Sequence, residues 1–210
     1  MLSAAAIEGF AGSLLSKRYD GATPVPECHK QWWDICCSER PLVAIAAPRN
    51  HGKSTAITHA YVLANVVFRE RKFVVIVSDT ETQAVDFLRD LKEELRNNDD
   101  LIALFHIKGF VKDTETDIVV EFDDGKQFRI LTRGSEQRMR GLKWNQMRPD
   151  LIVCDDLESE ELVYNKDRRE KFRKWFNGAL LPCRAKHGIV RIVGTILHLD
   201  SLLNRRSEEH

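Results

Sequence analysis

The sequence has no excess of charge of either sign: 32 lysines and arginines meet 32 aspartates and glutamates. The total therefore announces no polyanionic partner, and any basic surface must be local. Cysteines are few and unpatterned. Cys28, Cys36, Cys37, Cys154 and Cys183 are an odd number without zinc-type spacing, and the adjacent Cys36–Cys37 pair suits neither a disulfide framework nor a C-x-x-C redox site. This usage points to a reducing, cytosolic compartment. No apolar run approaches the about 18 residues that a membrane span requires. The N-terminus lacks a basic start and carries Glu8 inside its apolar part, so it reads as an amphipathic helix rather than a signal peptide. There is no internal repeat and no low-complexity segment. What is present is 210 residues with 43% apolar content, enough for a substantial core in one large or two small domains.

The apolar segments are ordered. Residues 2–17 have helical spacing, the Gly/Pro-rich stretch 21–26 breaks the chain, and a short helix is expected over 28–38. Residues 41–47 and 73–78 are continuous apolar runs, as buried parallel strands are, each followed by a helical pattern over 53–68 and 80–96. This strand–helix–strand–helix order favours an α/β fold with a mostly parallel sheet. Residues 118–122 and 127–131 flank Asp123-Asp-Gly-Lys126 and read as an antiparallel β-hairpin. Two further apolar strands, 151–154 and 189–193, enclose a charged amphipathic helix over 164–181. The expected organisation is a helical lead over 1–40 and one α/β domain over 41–205.

The loop after the first strand reads Ala47-Pro-Arg-Asn-His-Gly52-Lys53-Ser54-Thr55. It matches the phosphate-binding pattern G-x-x-x-x-G-K-[ST] except at Ala47, which replaces the first glycine. Gly-Lys-Ser alone is a common helix start. Here it follows a buried strand and opens a helix, where backbone N–H groups and the helix dipole favour a phosphate. Lys53 would reach the β and γ phosphates, and Ser54 would place its hydroxyl on Mg²⁺. Ala47 is a mild departure, because the grip comes from later amides and Lys53.

A nucleotide hydrolase of this kind also needs carboxylates on a neighbouring strand. Leu151-Ile-Val-Cys-Asp155-Asp156-Leu-Glu158 places acids at a strand's carboxyl end, where open α/β sheets bind ligands. Asp155 fits the metal role. Asp156 is the first candidate for the acid that orients the attacking water, and Glu158 the second. The bland alternative is a pair of solvated strand-end acids.

These motifs, in order over roughly residues 25–205, resemble the ATPase half of the bacteriophage terminase large subunit, the motor that packages viral DNA. Terminase phosphate loops often lack the first glycine and carry an early arginine, as Pro48-Arg49-Asn50-His51-Gly52-Lys53-Ser54-Thr55 does. Arg138-Met-Arg140-Gly141-Leu142 ahead of Arg148-Pro-Asp-Leu-Ile-Val-Cys-Asp-Asp resembles their arrangement before the acidic strand. Val193-Gly194-Thr195-Ile-Leu-His198 resembles their coupling motif. The resemblance implies a P-loop NTPase fold of the ASCE type, with ATP and Mg²⁺ as cofactors. It implies that the segment Pro26–Trp32 meets adenine, with Gln31 pairing to the base edge, and that Thr195 senses the γ-phosphate. Trp32 and Trp33 could equally be core aromatics, and Thr195 a local hydrogen-bonding residue. An arginine finger could come in cis from Arg49 or in trans from Arg140, with Arg138 the weaker competitor.

The same resemblance implies double-stranded DNA as a sequence-independent partner, with a portal protein, a small terminase subunit and a homo-oligomeric ring. It places the protein in the host cytoplasm, docking transiently on a procapsid. The basic run Lys166–Trp175 is one candidate for gripping DNA, although Asp167 and Glu170 interrupt it and a solvated, lid-like helix is the preferred reading. Terminase large subunits continue into an RNase H-like nuclease domain with clustered metal-binding acids. No later strand with spaced aspartates follows here, so no nuclease activity is expected of this chain. Two other classes share these motifs: a helicase-like DNA-translocating ATPase, and a nucleotide-binding module with weak hydrolysis.

Overall fold

The computed structural model describes residues 2–15 and 25–208. The expected end of the first helix at 16–17 and most of the chain break at 21–26 lie outside them. Helix α1 (Ala4–Leu14) starts at Ser3, whose hydroxyl accepts from Ala6 N–H. Helix α2 (Glu27–Cys36) buries His29, Trp33 and Cys36, a face set by helical spacing. Strand β1 (Leu42–Ala46) leads into the glycine-containing loop. A π-helical stretch, Thr55–Tyr61, then passes into α3 (Val62–Val67). The sequence predicts one ordinary helix over 53–68. The structure winds Thr55–Tyr61 as a π-helix, and the indole N–H of Trp33 donates to the Ala56 carbonyl within it at 2.8 Å.

Strand β2 (Phe73–Ser78) and helix α4 (Glu81–Asn97) fall where the periodicity puts them, with Thr80 capping α4. Helix α5 (Asp99–Phe105) and strand β3 (Ile107–Asp113) carry no clear sequence signal, being only seven residues each with apolar residues on their exposed sides. Strands β4 (Asp117–Phe122) and β5 (Gln127–Gly134) form the expected hairpin, and β3 pairs with β4. Strand β6 (Leu151–Asp155) is followed by α6 (Glu160–Tyr164) and α7 (Lys166–Trp175), then a π-helical turn at Phe176–Leu180 and α8 (Leu181–Cys183). The single helix expected over 164–181 starts anew at Asn165, which is extended and caps α7 by accepting from Arg168 N–H. Strand β7 (Ile189–Gly194) and helix α9 (Leu202–Glu208) complete the described chain.

The described strands form one seven-stranded sheet in the order β1-β7-β6-β2-β5-β4-β3. The five from β1 to β5 are parallel neighbours, and the hairpin strand β5 joins β2 directly, so the hairpin extends the main sheet. Alternate residues face two cores. Val74, Ile76, Leu151 and Val153 pack under α1 to α5. Phe73, Val75, Ile152 and Cys154 pack against Phe172, Phe176 and Leu203 on the other face. The acidic strand β6 therefore lies two strands from β1, with β7 between them, and all three end on one edge of the sheet.

Candidate active site

At the carboxyl ends of β1, β7 and β6 the chain builds a compact polar cluster. The glycine-containing loop is bent by positive φ at Asn50 (66°) and Gly52 (65°). Position 52 is closed to side chains in a second way, because a Cβ there would stand 3.1 Å from the His29 ring. His29 is buried, stacks on Trp32 and bonds the His51 carbonyl through Nε2 at 2.8 Å. Burial lowers its pKa, with the His51 contact opposing the shift. Helix α2 thus braces the loop at one end through His29 and the following helix through Trp33.

Lys53 is 7% exposed, yet among the described residues no carboxylate is hydrogen-bonded to it. Its ammonium donates to the Pro48 carbonyl at 3.1 Å and to Thr195 Oγ1 at 3.0 Å. The Thr195 hydroxyl donates in turn to the Ala47 carbonyl at 3.2 Å, and its N–H donates to Asp156 Oδ1 at 3.2 Å. Thr195, at the end of the strand between β1 and β6, therefore joins the loop lysine to the strand-end acid. Asp156 reaches it because its backbone turns left-handed (φ 43°), an unusual conformation for a non-glycine residue, and because Gly194 leaves room: a Cβ there would lie 3.0 Å from Asp156 Oδ1.

Asp155 is fully buried. Burial pushes its carboxyl up to about 6, against the stabilising hydroxyls of Thr58 and Ser54. Thr58 bonds Oδ2, while Oδ1 has no hydrogen-bond partner. A buried carboxylate oxygen left open beside the Ser54 hydroxyl suits a hydrated divalent cation. Thr58, one helical turn beyond Ser54, is a contributor that motif spacing does not single out.

Glu158 lines one small cavity with Asp156 and Thr195 but bonds in another direction. Both its oxygens accept backbone N–H groups at the start of α9, from Leu202 at 2.8 Å and Leu203 at 3.1 Å. Burial raises its pKa, with those two bonds opposing. In this conformation it is a helix cap, and Asp156 is the acid that lies with Lys53 and Thr195.

Among solved structures, the Thermus phage P74-26 large terminase ATPase domain superposes with a TM-score of 0.55 at 16% identity, over 78% of this chain and 62% of that one. The bacteriophage HK97 large terminase superposes with a TM-score of 0.58 at 12% identity, over all of this chain and 41% of that one. The fold is that of a phage large terminase ATPase domain. The chain spans less than two thirds of either protein. No protein-family model and no curated protein sequence matches it.

The remaining candidates are dispersed. Gln31 is exposed on α2. Arg49 is exposed and pairs with Glu160 on α6 at 3.2 Å. Asn50, His51 and Pro48 line the exposed side of the loop, and Ser54 and Thr55 are half-buried. Arg140 donates to the Gly178 carbonyl at 3.1 Å and, with Arg133 and Arg138, lines a shallow pocket of about 480 Å³. That segment follows β5, a strand four spacings or about 19 Å from β1 in the sheet. The basic helix α7 is largely neutralised: Arg168 pairs with Glu161, Lys171 with Glu136, and Arg169 and Arg173 with Asp200.

Proposed function

We propose that the chain is the ATPase unit of a viral DNA-packaging motor, which hydrolyses ATP to drive double-stranded DNA into a procapsid. The observation that carries this reading is the contact chain from Lys53 through Thr195 to Asp156, on a fold that superposes on phage large terminase ATPase domains. Residues 48–55 would wrap the phosphates, with Lys53 exchanging its neutral partners for the β and γ oxygens. Gln31 would meet the adenine. Ser54 and Asp155 would hold Mg²⁺, which neutralises charge on the phosphates. Asp156 would orient the attacking water. Thr195, already bonded to Lys53 and Asp156, would register the presence of the γ-phosphate and pass it along β7.

The arginine finger is best supplied in trans. Arg140 is held by the Gly178 carbonyl rather than by the phosphate loop, so it would reach the phosphates from a neighbouring subunit of a ring; Arg49 remains the cis candidate. The partners that follow are double-stranded DNA, further copies of the chain, a portal protein and a small terminase subunit, met in the host cytoplasm. Among the described residues no helix is long and apolar enough to cross a membrane.

The test is steady-state ATP hydrolysis against protein concentration for the parent, Lys53→Ala and Arg140→Ala. Turnover that Lys53→Ala abolishes, with specific activity climbing with concentration only when Arg140 is present, is the expected result. Flat activity per subunit, with Arg140→Ala normal, would move the finger to Arg49. The ties on Asp156 and Glu158 favour a second reading, a nucleotide-binding module that is inactive alone. ATP binding without Lys53-dependent turnover at any concentration, with DNA present, would establish it.

A further inference from the structure

The opposite edge of the sheet, where the parallel strands begin, collects basic residues from distant parts of the sequence. The segments 38–41, 68–72, 123–126, 143–150 and 184–188 lead into or cap β1, β2, β5, β6 and β7. They hold nine lysines and arginines against five acids, in a chain whose total charge is zero. One of those acids, Asp150, turns inward and accepts from Lys72 N–H and Phe73 N–H, both at 2.9 Å. Another, Asp124, is taken by Arg69 and Lys126.

A cavity of about 560 Å³ opens on this edge, with Arg71, Arg184, Lys186 and His187 on its wall beside Glu39 and Glu70. The buried Arg71 Nε has no hydrogen-bond partner. Arg184 and Arg148 donate to the carbonyls of Gly188 and Pro182. None of Arg71, Lys72, Arg148, Arg184 and Lys186 forms a salt bridge among the described residues, in contrast to the arginines of α7. A second cavity of about 240 Å³ on the same edge is bordered by Lys72, Lys126 and Trp144. Because β7, β6, β2 and β5 are consecutive neighbours, the segments that carry these cations enter the sheet side by side over about 14 Å of its edge.

We infer that this edge is a phosphodiester-binding face, which grips the backbone of duplex DNA without reading its bases. Cations without an acidic partner, drawn from neighbouring strands, suit a chain of phosphates, and side chains that already hold carbonyls keep further N–H groups free. The identity of the polyanion as DNA rests on the motor reading above; the existence of the face does not. Nucleotide and DNA would then occupy opposite edges of one sheet, joined by strands β7 and β6.

The experiment is binding of the full chain to random-sequence duplex DNA across a salt series, without nucleotide. The probes are the parent, Lys72→Glu/Lys186→Glu, and Lys166→Glu/Lys174→Glu on α7 as a control, with melting temperatures alongside. The first pair should weaken binding about tenfold or more and flatten the slope of log affinity against log salt by about 1.8. It should leave melting and Lys53-dependent turnover in place, and the control pair should bind nearly as the parent does. Parent-like affinity and slope in Lys72→Glu/Lys186→Glu would overturn the assignment. So would poly-glutamate binding as tightly as DNA and being lost with it, which would mark a site for an acidic protein. Loss of ATP turnover in Lys53→Ala tests the motor reading separately, since it does not depend on this face.

Discussion

Two buried cations of opposite character lie along strand β7, one within it and one beyond its end. Inside the strand, Arg191 is 1% exposed and saturated: its guanidinium donates to the carbonyls of Cys36, Ser38, Arg40 and Val190 at 2.7–3.0 Å. Beyond the strand's end, Lys53 is nearly as buried but, among the described residues, hydrogen-bonds only to Pro48 and Thr195. A cation whose donors are all spent on backbone carbonyls fixes structure, here the turn from α2 into β1. A cation held by two neutral, exchangeable oxygens is poised for an incoming anion. Burial alone does not separate the two roles; the saturation of the donors does.

Substitutions at the two ends should therefore fail differently. The largest effect on stability is expected for Arg191→Met, which orphans several carbonyls; a loss of at least about 3 kcal/mol should appear in chemical denaturation. Lys53→Ala should reduce turnover by about a hundredfold or more while its melting temperature stays near the parent's. A Lys53→Ala protein that unfolds like Arg191→Met would erase the distinction. Next, Thr195→Val removes the hydroxyl between Lys53 and Ala47. It should lower turnover about tenfold or more at a stability cost near 1 kcal/mol, read from kinetics and melting together.

Asp156 and Glu158 sharpen the comparison on the acidic side. Asp156→Asn should act on turnover, whereas Glu158→Gln should act on stability, by about 1 kcal/mol, because a charged cap on α9 is weakened. Turnover abolished by Glu158→Gln at unchanged melting temperature would exchange the two assignments. The smallest effect concerns Asp200, whose carboxyl is held down to about 2 first by Arg205 and then by Arg169 and Arg173. A depressed carboxylate contributes stability that is complete above about pH 4 and lost as pH falls toward 2. Asp200→Asn should therefore flatten the acid limb of a melting-temperature profile in that window and leave the limb above it unchanged in shape.

The strands and the motifs were legible in the sequence because they depend on local pattern. The apolar runs at 73–78 and 151–154, the Gly52-Lys53-Ser54 step and the acids ending β6 all announce themselves within a few residues. Elements without such a pattern were not: α5 and β3 are short and expose apolar residues such as Leu104 and Val111, which blurs their periodicity, and π winding at 55–61 has the same apolar pattern as an ordinary helix. The capping role of Glu158 was equally hidden, since it needs the backbone of Leu202 and Leu203, more than forty residues away.

The sequence by itself determined the α/β alternation, the phosphate loop and the strand that carries the acids, because period and spacing are properties of a contiguous chain. The tertiary structure alone decided which cations are spent and which are open. It saturated Arg191, neutralised α7, brought Thr195 between Lys53 and Asp156, and gathered the basic residues of five separate segments on one edge. A side chain's partners are set by strand order and packing, and neither composition nor spacing records who those neighbours are.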